Sequence, residues 1–133
     1  AGRSVEFSSA NLLDLATTGK DGGEQIDFQG FIFPGALTFT NCIFSIRGNF
    51  ANATFKGSAD FQGATFEGPA LFQDATFRNK ADFRDTTFKK WAIFFGATFQ
   101  MNARFARASF LRTANFSQSI FEDVADFSGC ECE

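Results

Sequence analysis

Phenylalanine recurs at positions 28, 33, 39, 44, 50, 55, 61, 66, 72, 77, 83, 88, 94, 99, 105, 110, 116, 121 and 127, and the gaps alternate five and six throughout. Two places before each of these nineteen rings stands a restricted position, which is Ala in twelve cases, Ala53, Ala59, Ala64 and Ala75 among them. Cys42, Gly48, Thr86 and Ser119 are small as well. Residues two apart on an extended segment point to the same side, so the Phe and Ala positions share one interior. The positions between them are mostly polar or charged. Gly, Asn or Asp often stands two after the ring, as at Gly30, Asn41, Asn52, Gly63, Asp74, Asp85 and Gly96, and these residues suit turns. An α-helix aligns spacings of three and four, which this pattern never sustains. It predicts an all-β chain of very short strands joined by tight turns.

Ala59-Asp60-Phe61, Ala81-Asp82-Phe83, Ala114-Asn115-Phe116 and Ala125-Asp126-Phe127 have the form Ala, Asp or Asn, Phe. Ala53-Thr54-Phe55, Ala64-Thr65-Phe66, Ala75-Thr76-Phe77 and Ala97-Thr98-Phe99 are a Thr-bearing variant. Over about residues 26–133 the chain resembles the pentapeptide-repeat family. That resemblance implies a right-handed parallel quadrilateral β-helix, with one repeat on each of four sides. The family spacing is a strict five, whereas every second side here carries one residue more. The expectation is therefore twenty-two residues per coil, with Ala36, Arg47, Ser58, Pro69, Lys80, Trp91, Asn102, Thr113 and Val124 as the extra, solvent-facing corner residues. A flattened solenoid of eleven residues per coil is the alternative. At about 4.8 Å per coil, about five coils make a solenoid on the order of 24 Å long.

Residues 1–25 break the pattern and read as an N-terminal cap or a degenerate first coil, as a solenoid end needs covering. Ser9 is the expected cap of a short helix running through Leu12, Leu13, Leu15 and Ala16 to near Gly19. The stretch 19–24 reads as a flexible connection. Phe7 and Leu12 fall out of register with the later series. Ile26, Phe31 and Leu37, large residues at the Ala position, are expected to fill space beneath the cap.

The chain has 133 residues, which fits one domain, with 22 Phe and no Tyr or His. Without His, Ser-His-Asp and Cys-His catalysis and His-bearing metal sites are excluded. No cofactor, metal site or catalytic set is expected, and the chain reads as non-enzymatic. The formal net charge of −3 demands neither nucleic acid nor an anionic membrane as partner. Apolar runs are too short for a membrane-spanning helix or a signal peptide, so a cytoplasmic protein is expected. The start at Ala1-Gly2-Arg3 without Met reads as that expected of a processed or trimmed chain.

Cys130 and Cys132 fall on the small and ring positions of the last repeat, and Cys42 on an earlier small position. They read as small buried apolar residues. Cys42 and Cys130, four coils and about 19 Å apart, are too distant for a disulfide. Thr54, Thr65, Thr76, Thr87, Thr98 and Ser109 form two outward ladders on opposite faces. Such ladders can resemble ice-binding surfaces, although Thr also suits any half-exposed strand.

Residues 75–112 carry eight basic groups, Arg78, Lys80, Arg84, Lys89, Lys90, Arg104, Arg107 and Arg112, against Asp82 and Asp85. This basic waist is a candidate surface for an acidic partner. It has the opposite sign to the DNA-like acidic surface of the pentapeptide proteins that protect DNA gyrase. Trp91, Ile93 and Phe95 alternate with inward Ala92 and Phe94, so they point outward, with Leu71 one coil away and Met101 and Leu111 on neighbouring sides. These form the leading candidate interface. A second is the C-terminal end, with Phe127 and Cys132, where two copies could pair about a two-fold axis. The expected role is a rigid scaffold or protein-interaction module. A topoisomerase-binding DNA mimic and an ice-binding surface are the alternatives.

Overall fold

A computed structural model describes residues 4–133. Its strands assemble into four sheets, of six, five, six and five strands, that form the walls of a parallel solenoid of about five coils. We number the walls in the order the chain visits them from Glu24 onward. Wall 1 contains Glu24–Asp27, Arg47–Asn49, Ala70–Leu71, Ala92–Ile93 and Ala114–Asn115, and wall 2 runs from Ile32–Phe33 to Ile120–Phe121. Wall 3 runs from Leu37–Thr38 to Ala125–Asp126, and wall 4 from Ile43–Phe44 to Glu131–Cys132. Each residue lies beside the one twenty-two places on: Phe66 pairs with Phe88, Ala81 with Ala103. The eleven-residue coil is therefore excluded.

The interior is built from four columns of rings. Phe50 stacks on Phe28 at 5.2 Å and on Phe72 at 4.9 Å, the latter pair within 2° of parallel. Stacking at this separation matches the distance between neighbouring strands, so one ring per wall per coil builds a continuous column along each wall. Rings of walls 1 and 3 also meet edge to face across the centre, as Phe72 does with Phe83 at 5.5 Å and 89°. Offset stacks and perpendicular contacts are the arrangements aromatic quadrupoles favour. The Ala residues between the columns, such as Ala64, Ala75 and Ala97, are wholly buried.

Two kinds of corner alternate. After walls 1 and 3 the second residue past the ring is left-handed, with φ between 57° and 73° in the full coils at Gly30, Asn41, Asn52, Gly63, Asp74, Asp85, Gly96, Arg107, Gln118 and Gly129. After walls 2 and 4 comes the extra residue. Its carbonyl joins the ladder, accepting from Gly48 at Pro69 and from Ala70 at Trp91. At Lys80 and Val124 the N–H is taken by the preceding Asn79 or Asp123 side chain instead. That leaves room for Pro69, which has no N–H. Lys80, Trp91, Thr113 and Val124 are exposed as expected, but Ala36, Arg47, Ser58, Pro69 and Asn102 are half-buried.

Small positions that are not Ala use their polar atom in one way. Cys42 donates to the Phe7 carbonyl, Thr86 to that of Phe61, Ser119 to that of Phe94 and Cys130 to that of Phe105. Each thus satisfies its own donor inside the coil. Burial raises the pKa of the Cys42 and Cys130 thiols above the ordinary cysteine value.

The N-terminal segment differs from expectation in several details. Val5–Glu6 adds a parallel strand to wall 3, and Phe7 stacks on Phe39 at 4.8 Å and 10°. Phe7 is thus in the column, displaced in sequence because a helix and a hairpin are inserted after it. The helix is Ser9–Asp14, with Ser8 rather than Ser9 as its cap: Ser8 Oγ accepts from Asn11 N at 3.2 Å. Ser9 Oγ accepts from the Ile43 backbone N–H at 2.8 Å, which closes the edge of wall 4. Leu12 is fully buried against the core. Ala16–Thr18 does not continue the helix but pairs antiparallel with Glu24–Asp27. The expected flexible connection is the turn of this hairpin, held by Gly19 N to Gly23 O at 2.7 Å and by Asp21 on Arg47.

Ile26 and Leu37 are buried, but Phe31 is 51% exposed, because the N-terminal segment reaches walls 3, 4 and 1 and leaves wall 2 open. That open edge is blunted. Wall 2 donors point toward the N-terminal end, as Thr54 to Phe31 O and Lys56 to Phe33 O show. The donor equivalent to Lys56 in the first coil falls at Pro34, which has none. No helix among the described residues is long and apolar enough to cross a membrane.

Candidate interaction surface

The outward residue immediately before each ring distinguishes the walls. On wall 2 it is Thr54, Thr76 and Thr98, in register between Ile32 and Ile120 on the end coils, and on wall 4 Ile43 followed by Thr65, Thr87 and Ser109. On wall 3 it is Asp60, Asp82 and Arg104. On wall 1 it is Asn49, Leu71, Ile93 and Asn115. In its two middle coils, wall 1 thus has aliphatic side chains where the other walls have polar ones. Trp91, at the corner before the Ala92–Ile93 strand, and Phe95, in the turn after it, flank Ile93 and are 57% and 36% exposed, and Leu71 and Ile93 are half-buried. At strand rise Trp91 and Phe95 stand about 13 Å apart. Gln73, beside Leu71, has its Oε1 buried without a partner.

The surroundings of this patch are uneven in charge. No outward residue of wall 1 from Arg47 to Ser117 is a carboxylate. Lys90 and Arg112 stack on the corner that leads into the wall, and Lys89 lies beside them. Lys89 Nζ stands 3.6 Å from Glu67, whereas Lys90 and Arg112 have no carboxylate partner among the described residues. Asp74 lies at the opposite corner. On the N-terminal side the hairpin overhangs wall 1 and encloses a depression of about 430 Å³ lined by Lys20, Asp21, Gln25, Arg47, Asn49 and Leu71. Arg47 grips Asp21 with both Nη atoms, at 2.8 and 2.9 Å. This contact holds the Asp21 carboxyl well below the usual carboxylate range.

Of the candidate interface residues, Leu71, Trp91, Ile93 and Phe95 come together. Met101 sits at the corner between walls 2 and 3, and Phe127 and Cys132 lie on walls 3 and 4 of the last coil. The eight basic residues make a belt rather than one patch. Arg78 is on wall 2, Lys80 at the next corner, Arg84 and Arg104 on wall 3, Arg107 at the corner after it, and Lys89, Lys90 and Arg112 toward wall 1. Three of them are engaged locally: Arg84 on Asp82 at 2.7 Å, Arg107 on Asp85 at 2.9 Å and Lys89 on Glu67 at 3.6 Å. The depression beneath the hairpin had no sequence signal, because the hairpin lies outside the repeat.

A family model described as pentapeptide repeats (9 copies) matches residues 28–68, 50–98 and 94–133. No curated protein and no solved structure matches the chain significantly. The matched stretches together span every ring from Phe28 to Phe127, the same residues that build the four walls, and the chain belongs to the pentapeptide-repeat family.

Proposed function

We propose that this protein is a non-enzymatic, rigid protein-interaction module that presents wall 1 to a partner. The observation that carries this is the clustering of outward aliphatic and aromatic residues on two adjacent coils of one wall, at Leu71, Trp91, Ile93 and Phe95, whereas the exposed Ile32, Ile43 and Ile120 stand singly on the end coils of walls 2 and 4. A solenoid whose interior is filled with rings offers rigid faces rather than an enclosed cleft, which supports recognition over catalysis. The three free cysteines suit a reducing compartment, and a cytoplasmic setting is part of the reading. Photocrosslinking residues placed at 93 on wall 1 and at 104 on wall 3 test it in cells that make the protein. Partner adducts are expected from position 93 and not from 104. Equal yields, or adducts from 104 alone, would overturn the choice of wall.

Self-association through the last described coil is a second contact within this reading, favoured by Phe127, a core ring that is 38% exposed. Against it, Glu122, Asp123, Asp126, Glu131 and Glu133 set like charges on that coil. Sedimentation of the wild type and of Phe127→Asp decides: a concentration-dependent dimer lost in the variant supports the contact, and a monomeric wild type at tens of micromolar removes it. A DNA-mimic reading has less support, because the middle coils carry the basic belt. An ice-binding reading rests on the Thr ladders, which are only three residues long and bordered by Lys56, Arg78, Glu67 and Lys89.

A further inference from the structure

Resting on the reading of wall 1 as the interaction face, we infer that its partner is an acidic peptide segment with one or two large apolar side chains. Two features specify this chemistry. The first is the grid formed by Pro69, Leu71, Trp91, Ile93 and Phe95, two coils tall and about 13 Å long. That is the size of four or five extended residues, not of a folded domain. Trp91 and Phe95 stand at its two ends with Ile93 between them, so a docked side chain sits on Ile93 and is walled by aromatic rings. Aromatic anchors of this kind carry much of the binding energy of small interfaces.

The second feature is charge. Lys89, Lys90 and Arg112 line the Trp91 edge of the grid, and Lys90 and Arg112 lack carboxylate partners among the described residues. No carboxylate projects from wall 1 between Arg47 and Ser117 to oppose an incoming one. A segment with its apolar residues on the grid would place acidic neighbours against this corner. A basic segment would meet like charge at that corner, where Glu67 is already paired with Lys89, and would find Asp74 alone as counter-charge, at the far end of the grid. Rim charges of this kind set partner choice and salt dependence more than raw affinity. The depression beneath the hairpin opens onto the same wall through Leu71, but its cation, Arg47, is already paired with Asp21.

The test uses a display library of random twelve-residue peptides, panned in parallel on the wild type, on Ile93→Asp and on Lys90→Glu/Arg112→Glu. Circular dichroism establishes that each variant remains folded. Trp91 is the sole tryptophan of the chain, so its fluorescence reports directly on binding of each enriched peptide in solution. The expected result is enrichment of sequences that combine Asp or Glu with Leu, Phe or Trp. Their binding should be lost in Ile93→Asp and weakened at least about tenfold at low salt in the double charge reversal. Enrichment of basic or uncharged sequences that still depends on Ile93 would overturn the acidic assignment and leave wall 1 as the interface. Failure to enrich any sequence that depends on Ile93 would overturn both.

Discussion

The ring of Phe7 lies flat on that of Phe39, 4.8 Å away and 32 residues earlier in the chain. It closes the wall 3 column at the N-terminal end and accepts the Cys42 thiol on its backbone carbonyl. Phe7→Ala should therefore loosen the Val5–Glu6 strand and the helix after it while leaving the lower coils intact. Because Phe7 is only half-buried, a loss of about 2 kcal/mol is expected, below the roughly 3–5 kcal/mol of a fully buried Phe→Ala change such as Phe72→Ala. Hydrogen exchange checks this. The amides of Val5 and Phe7 should exchange much faster in Phe7→Ala, and those of Phe61 and Phe83 at nearly the wild-type rate.

Ala75 is wholly buried, whereas Lys80 sits exposed on a corner. Adding three carbons at position 75 forces adjacent rings out of their stacks, which costs about 1–3 kcal/mol. Ala75→Leu should lower the melting temperature clearly and Lys80→Leu should not. Equal effects in a thermal melt would contradict the assignment of inside and outside.

Corner conformation separates substitutions that look alike in sequence. Gln118 holds φ at 59°, a region that costs an ordinary L-residue about 1–2 kcal/mol but that Asn tolerates. Gln118→Asn is expected to raise stability by about 0.5 kcal/mol. Gly57 has the opposite constraint: a Cβ there would meet the backbone of Gly35 and of Ala36. Gly57→Ala should cost at least about 2 kcal/mol, since backbone cannot step aside as a side chain does. Denaturant titration of both variants gives the two signs.

The Asp21 carboxyl is depressed first by its hydrogen bonds from Arg47 and then by the Gly23 backbone. A carboxyl with a lowered folded pKa contributes stability that is complete above its unfolded value, about 3.9, and is lost as pH falls below it. The hairpin should accordingly hold at pH 5–7 and open progressively below about pH 4. Amide exchange at Gly19 and Gly23 measured against pH should show this step in the wild type and lack it in Asp21→Asn.

The solenoid was legible in the sequence because one physical constraint repeats. Each wall of each coil needs a ring and a small residue, so the spacing of Phe61, Phe66, Phe72 and Phe77 showed the repeat; the four-sided resemblance pointed to twenty-two residues per turn, and the register of Phe66 with Phe88 excluded eleven. The N-terminal segment was not legible, because Phe7 and Leu12 reach the core through a helix and a hairpin whose lengths no repeat dictates. Phe31 occupies a repeat position, yet it is exposed because the hairpin covers wall 1 and stops short of wall 2. The Trp91 cluster could be read from alternation alone. Its meeting with Leu71 followed from the twenty-two-residue coil, and the structure adds the contrast with the middle coils of the other walls, where Thr, Ser, Asp and Arg fill the same slot.

That meeting is the most direct point of test. Leu71 and Ile93 are register partners on neighbouring strands of wall 1, and Asp82, eleven residues from Leu71, is on wall 3. With Cys42, Cys130 and Cys132 replaced by Ser, cysteines are placed at 71 and 93 in one variant and at 71 and 82 in another. Neighbouring parallel strands lie about 4.8 Å apart, within disulfide reach, and opposite walls do not. Mild oxidation followed by mass spectrometry should show the 71/93 pair closing and the 71/82 pair remaining as free thiols. Closure of 71/82 with 71/93 left open would contradict the coil, the walls and the interaction face together.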